Sequence, residues 1–289
     1  MKSQKSPLLK MQLRRLRKMA RHKLGLVYAK TAVWIPEIYP NFLGIGAPRS
    51  ASTWLHHRLS LHPQIFLSHI KEVHFFDSGF RLKGSFDYNL NDPSHWRWYA
   101  FHFLKAQGQI IGDITPAYSS LPEERIAEIA NHLPKIKIIY ILRNPIERAW
   151  SEMRKGIWFG KGITSSDMPV EYFIQKAMSP QILIQGDYKR NIQIWERYVP
   201  KDRIHYLFYD GIKKNPRHEL ENICEFLNIN PELLPDSEGD QRLVNSVPAG
   251  DIPMQVREIL ENYYKDQLQY LENKFQRDLS HWFRRDFNT

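Results

Sequence analysis

Asn41-Phe-Leu-Gly-Ile-Gly-Ala-Pro-Arg-Ser-Ala-Ser-Thr-Trp54 is the stretch that decides the fold. Residues 41–46 form an apolar run of the length of one buried strand. Residues 47–52 are small or turn-forming and carry one charge, Arg49. From Thr53 the apolar spacing becomes helical, with Leu55 and Leu59 one turn apart. Strand, small-residue loop and helix make the unit that opens many parallel α/β domains. The loop also has a chemistry. Small side chains let the backbone approach a ligand, and the free N–H groups at a helix start attract an oxyanion. Ser50, Ser52 and Thr53 add hydroxyl donors, and Arg49 adds a guanidinium fork. A strand-to-helix turn without any ligand is equally ordinary, so this segment alone leaves both readings open. It is not a nucleoside triphosphate loop, which needs Gly-x-x-x-x-Gly-Lys-Ser/Thr.

Outward from this unit, residues 65–67, 109–114, 135–142 and 204–209 read as further strands. The run Lys-Ile-Lys-Ile-Ile-Tyr-Ile-Leu at 135–142 is continuous enough for a central parallel strand. Helical spacing covers residues 123–132, 188–198, 216–227 and most of the last forty. Strands alternating with helices, without repeats or a low-complexity linker, predict one three-layer α/β domain with a mostly parallel sheet and a P-loop-like anion loop. Its expected extent is 37–289.

Residues 1–36 are expected to be a basic extension. They hold ten Lys and Arg and no acid, while the rest of the 289 residues holds 31 basic and 31 acidic residues. The net charge of +10 therefore belongs to the tail, and nucleic acid is not an expected partner. Leu9, Leu13, Leu16, Ala20, Leu24 and Val27 follow a helical stripe within it. Two readings stay open: a helix on an anionic membrane or acidic partner, and a loosely packed extension. No apolar run is long enough to span a membrane, and no compact apolar segment follows the charges as in a secretory signal. The single cysteine, Cys224, suits a reducing compartment and reads as a core residue. A cytoplasmic protein with peripheral membrane contact is the expected setting.

A second anion-binding segment follows the 135–142 strand: Arg143-Asn-Pro-Ile-Glu-Arg-Ala-Trp-Ser151. Arg143 leaves the strand's carboxyl end, where parallel sheets place ligands. Pro145 suits a first helical turn, and Ser151 falls about two turns further on. Arg143 and Ser151 can share a phosphate; equally, Arg143 can pair with a carboxylate while Ser151 lies on the surface.

Together the two segments resemble the sulfotransferases that use 3′-phosphoadenylyl sulfate (PAPS), above all the branch with the heparan sulfate and bacterial enzymes. That branch carries roughly Gly-x-x-Lys-x-Gly-Thr-Thr after its first strand and Arg-x-Pro-x-x-Arg-x-x-x-Ser after a later one. Lys71-Glu-Val-His-Phe-Phe-Asp77, Asp113-Ile-Thr-Pro-Ala-Tyr118, Gly186-Asp-Tyr188 and Arg277-Asp-Leu-Ser-His-Trp282 extend the likeness over about residues 40–285. Arg49 stands where the branch has lysine, Ala51 and Ser52 where it has Gly and Thr, and Ile114 where it has another lysine.

The resemblance implies sulfuryl transfer from PAPS to an acceptor hydroxyl, with a glycan as acceptor and PAP as product. Pro48, Arg49, Ser50, Ala51, Ser52, Thr53 and Trp54 would hold the 5′-phosphosulfate, and Arg143 and Ser151 the 3′-phosphate. Glu72 would be the general base, with Arg49 aiding the leaving group and His74 as the other candidate base. No metal is implied, and no ligand pattern stands out. A non-catalytic PAP-binding scaffold and, more remotely, a nucleotide kinase are the competing readings. The ring-rich residues 95–103 read as core packing. Trp158 and Phe159, in an expected irregular segment over 156–169, read as acceptor contacts.

Overall fold

The computed structural model describes residues 33–78, 87–161, 163–235 and 250–283, with 25, 27 and 29–31; at 159–161 it describes the backbone only. The tail stripe from Leu9 to Leu24 and the side chain of Phe159 lie outside the described residues. In chain order the elements are β1 (Phe42–Gly46), α1 (Ser52–Ser60), β2 (Ile65–Leu67), α2 (Pro93–Phe101), β3 (Ile110–Ile114), α3 (Glu123–His132), β4 (Lys137–Leu142) and α4 (Pro145–Lys161). There follow α5 (Val170–Ala177), α6 (Pro180–Gly186), α7 (Tyr188–Tyr198), β5 (Ile204–Phe208), α8 (Tyr209–Lys214), α9 (Pro216–Leu227) and α10 (Met254–Phe275).

The strands form one parallel sheet in the order β2-β3-β1-β4-β5. Both faces are covered, which is why its central strand reads as a continuous apolar run. Along β4, Ile138, Tyr140 and Leu142 pack into the core with α2, α3 and α7, while Ile139 and Ile141 pack into the core with α1 and α9. A third apolar cluster joins α4, α5, α6 and α10 through Trp150, Phe173 and Tyr264. Trp96, Tyr99 and Phe103 lie in the first core, as the ring-rich run predicts. Cys224 is buried in the second, and burial pushes its thiol up to about 11.

The three-layer arrangement brings the loop after β1 and the turn after β4 side by side, because these strands are neighbours. One expectation needs correction. Residues 156–161 continue α4, so the irregular stretch is shorter than 156–169. Trp150, Met153 and Ile157 keep an apolar face for another turn and a half, and a Cβ at Gly156 would meet nothing within 4 Å. Trp158 is 38% exposed on this helix.

At Gly112 of β3 a Cβ would collide with the Phe42 ring of β1 and come within 2.7 Å of Leu67 of β2. Gly112→Ala should therefore destabilise the fold by about 1–3 kcal/mol, the cost of overpacking a filled core, read from chemical denaturation.

Candidate active site

The loop after β1 is shaped by close packing. A Cβ on Gly46 would strike the Pro116 carbonyl and lie 2.9 Å from Ser119 Oγ, and Gly46 has φ of 136°. Arg49 and Ala51 take left-handed backbone angles, φ 67° and 64°. Such angles turn successive N–H groups to one side. Ala51 is the N-cap of α1, and no side chain among the described residues caps it. A helix start without a side-chain cap is a geometry that can take an anion. Ser50, Ser52 and Trp54 are buried around this turn, with Pro48 and Thr53 partly exposed.

The two sequence segments meet through one side chain. Arg49 Nε donates to Ser151 Oγ at 3.0 Å, and Arg143 Nη1 donates to the Arg49 carbonyl at 2.8 Å. Arg143 Nη2 lies 3.1 Å from Glu147 Oε2, and its guanidinium stands 4.4 Å over the Tyr209 ring. Arg143 thus has a carboxylate partner, while Ser151 is buried against Arg49 and is not a surface serine. Burial lowers the pKa of Arg49, Arg143 pushes it the same way, and Glu152 opposes them.

The strand-end turn is held by the later motifs. Tyr188 donates its hydroxyl to the Arg143 carbonyl at 2.8 Å. Asn144 Oδ1 accepts the Ile146 N–H at 3.0 Å and its Nδ2 donates to the Trp282 carbonyl at 2.5 Å. Trp282 Nε1 donates to Asp210 at 2.9 Å. The sequence placed these motifs without showing what they hold.

Glu72 and His74 follow β2. Lys71 Nζ lies 2.6 Å from Glu72 Oε1, and His74 Nε2 lies 3.3 Å from Glu72 Oε2. The other ring nitrogen, His74 Nδ1, lies 3.0 Å from Oδ2 of the buried Asp77. The order is carboxylate, imidazole, carboxylate. His74 therefore stands between two acids. Burial raises the Glu72 pKa, but hydrogen bonds from His74 and Lys71 and the Lys71 charge outweigh it and hold the carboxyl well below the usual range.

Among the described residues, six non-glycine residues have positive φ. Asn228 and Gln276 are helix C-caps, and the other four are Arg49, Ala51, Glu72 and His74. Uncommon backbone angles are thus concentrated at these two loops, as at sites where geometry is imposed for function.

Asp113 supports the second loop from beneath. Its buried carboxyl accepts the hydroxyls of Tyr99 at 2.9 Å, Thr115 at 2.7 Å and Tyr118 at 2.9 Å. Tyr118 in turn accepts the Phe75 N–H at 2.9 Å. Ile114 is 2% exposed and lines a small cavity with His56, Glu72 and Asp113. Among the described residues no group of three or more His, Cys, Asp or Glu is placed to hold a metal ion, and no helix is long and apolar enough to cross a membrane.

Sequence reasoning did not single out Tyr209, Glu147, Glu152 or Asp77 as partners of these loops. Tyr209 had a signal, since it directly follows β5, next to β4 in the sheet.

The sulfotransferase domain family matches residues 40–271. The human bifunctional heparan sulfate N-deacetylase/N-sulfotransferase 2 is 28% identical over 217 residues, 67% of this chain and 22% of that protein. The membrane-associated sulfotransferase kil1 of Dictyostelium discoideum is 33% identical over 138 residues, 46% of this chain and 26% of that protein. The chain thus spans about a quarter or less of either relative. The crystal structure of a sulfotransferase from Alicyclobacillus acidocaldarius shares the fold, with a TM-score of 0.68 at 21% identity, over 86% of this chain and 100% of that one.

Proposed function

The chain belongs to the sulfotransferase domain family, and from that premise we propose that it transfers a sulfuryl group from PAPS to a hydroxyl of a glycan, releasing PAP. The observation that carries the reading is the Arg49–Ser151 contact beside Arg143, which links the loop after β1 to the turn after β4. The residues present fit the nucleotide. A backbone cradle with an open helix start suits the 5′-phosphosulfate, and guanidinium groups with a serine hydroxyl suit the 3′-phosphate. The glycan acceptor is supported by the likeness to a heparan sulfate enzyme.

In this reading Glu72 takes the acceptor proton as the acceptor oxygen bonds to sulfur. The bond from sulfur to the 5′-phosphate oxygen breaks, and its electron pair leaves on PAP. The loop N–H groups and Arg49 stabilise that developing charge, which grows towards the transition state and so favours reaction over ground-state binding. Lys71 must loosen from Glu72, or move with it, for the carboxylate to reach the acceptor.

PAP should raise the melting temperature, and adenosine 5′-phosphate should do so much less, because it lacks the 3′-phosphate that Arg143 and Ser151 would hold. Arg143→Ala should weaken PAP binding by about 1.5–3 kcal/mol, the worth of a charged hydrogen bond. Equal melting shifts with both nucleotides in the unmodified protein would overturn the reading.

The setting proposed is cytoplasmic, with the basic tail touching an anionic membrane. Ten basic residues and no acid before residue 37 support it, together with Val33 at 77% and Trp34 at 63% exposure where the tail joins the domain. Deleting residues 1–30 should leave PAP affinity unchanged and reduce sedimentation with anionic vesicles in low salt. An intact protein that ignores such vesicles at every salt concentration would contradict this.

A further inference from the structure

We propose that Arg154 is a second guanidinium of the 3′-phosphate site, beside Arg143, and helps to set the preference for a nucleotide phosphorylated at the 3′ position. The inference rests on the PAPS reading above and assigns a residue that the motif does not contain.

The first argument is placement. Ser151 and Arg154 are three residues apart within α4, so they share a face, with Arg154 about 4.5 Å further along the axis. Ser151 is the residue that receives Arg49, and the Arg49 carbonyl receives Arg143. Arg154 is therefore the next residue on the helix face where the other two guanidinium groups gather.

The second argument is bracing. The Arg154 guanidinium lies 5.6 Å over the ring of Trp150, itself 3% exposed. Trp150 Nε1 donates to the Gly250 carbonyl at 2.7 Å, and a Cβ on Gly250 would come within 3.9 Å of Arg154 Cδ. The side chain's course is thus bounded by a fixed ring and a neighbouring chain segment, which lowers the entropy lost in holding an anion.

The third argument is charge. Burial lowers the Arg154 pKa, and Arg143 and Arg49 both push it further in the same direction. Carboxylates oppose this: Glu147 pairs with Arg143, and Glu152 and Glu72 favour the charged form of Arg49. The three guanidinium groups still disfavour one another's charge in a partly buried place. A phosphate with a double charge and three acceptor oxygens relieves the repulsion and uses the donors. A neutral acceptor hydroxyl does neither.

The test is calorimetric titration of the full chain with PAP and with adenosine 5′-phosphate, for the unmodified protein, Arg154→Gln and Arg154→Lys. The expected result is a fall of about 10- to 100-fold in PAP affinity for Arg154→Gln, with adenosine 5′-phosphate affinity unchanged. Arg154→Lys, which keeps the stem and the charge, should recover part of the loss and serves as the deciding variant if the glutamine form does not fold. PAP affinity unchanged in folded variants overturns the proposal, and so does a loss confined to acceptor KM. A wild-type preference for PAP that both variants keep removes only the role of Arg154. The absence of any such preference in the unmodified protein overturns the PAPS reading along with it.

Discussion

Glu72→Gln should lower turnover by about 10²–10⁴-fold while leaving PAP binding intact, the usual worth of a positioned general base. The substitution keeps the side chain's shape and removes its affinity for a proton. His74→Ala should cost less, because His74 faces Glu72 with one nitrogen and Asp77 with the other, so that in the proposed reading it would act by orienting Glu72. The pH profile carries a further check. Glu72 is held well below its ordinary pKa, so its carboxylate persists through the mildly acidic range and no acid limb from it should appear near neutrality. Lys71→Met removes part of what lowers that pKa. It should move the acid limb upward, towards the ordinary glutamate value of about 4.3. Glu72→Gln at near wild-type turnover, with His74→Ala folded and inactive, would reassign the base to His74.

Asp113→Ala should be the most damaging single change to stability. It removes one carboxyl and strands three buried hydroxyls, those of Tyr99, Thr115 and Tyr118. Each stranded group costs about 1–3 kcal/mol, so a total loss of about 3 kcal/mol or more is expected from denaturant unfolding. Activity should fall as well, even in protein that remains folded. Tyr118 holds the Phe75 N–H, and Phe75 directly follows His74. A folded Asp113→Ala protein of unchanged stability would show that the hydroxyls find other partners.

The sheet was legible because parallel strands covered on both faces must be continuously apolar. Residues 138–142 meet that condition, residues 204–208 meet it apart from His205, and the three helices expected at 123–132, 188–198 and 216–227 form over those residues. The loops after β1 and β4 were legible as elements, but each alone left a ligand-free reading open, and only their joint likeness to one family favoured anion binding. What no spacing could reveal is where a long side chain goes. Arg49 reaches out of its own loop to Ser151, 102 positions away, and Arg143 closes on the Arg49 backbone. The left-handed angles of Glu72 and His74 were hidden for a related reason: glutamate carries no preference for them, and histidine, though enriched there, takes other angles far more often. Ile114 shows the converse. Its side chain is packed beneath α1 next to Gly44, so Ile114→Lys would bring an ammonium group into an apolar core.

The central claim is the transfer itself, and labelled sulfate tests it most directly. The full chain is incubated with PAPS labelled in its sulfuryl group and with a panel of glycans bearing free hydroxyls, beside Glu72→Gln as control. Label should move into a glycan fraction with the unmodified protein and should fall by at least about a hundredfold with the variant. A protein that binds PAP but moves no label into any glycan, or that moves it equally well without the Glu72 carboxylate, would contradict the account.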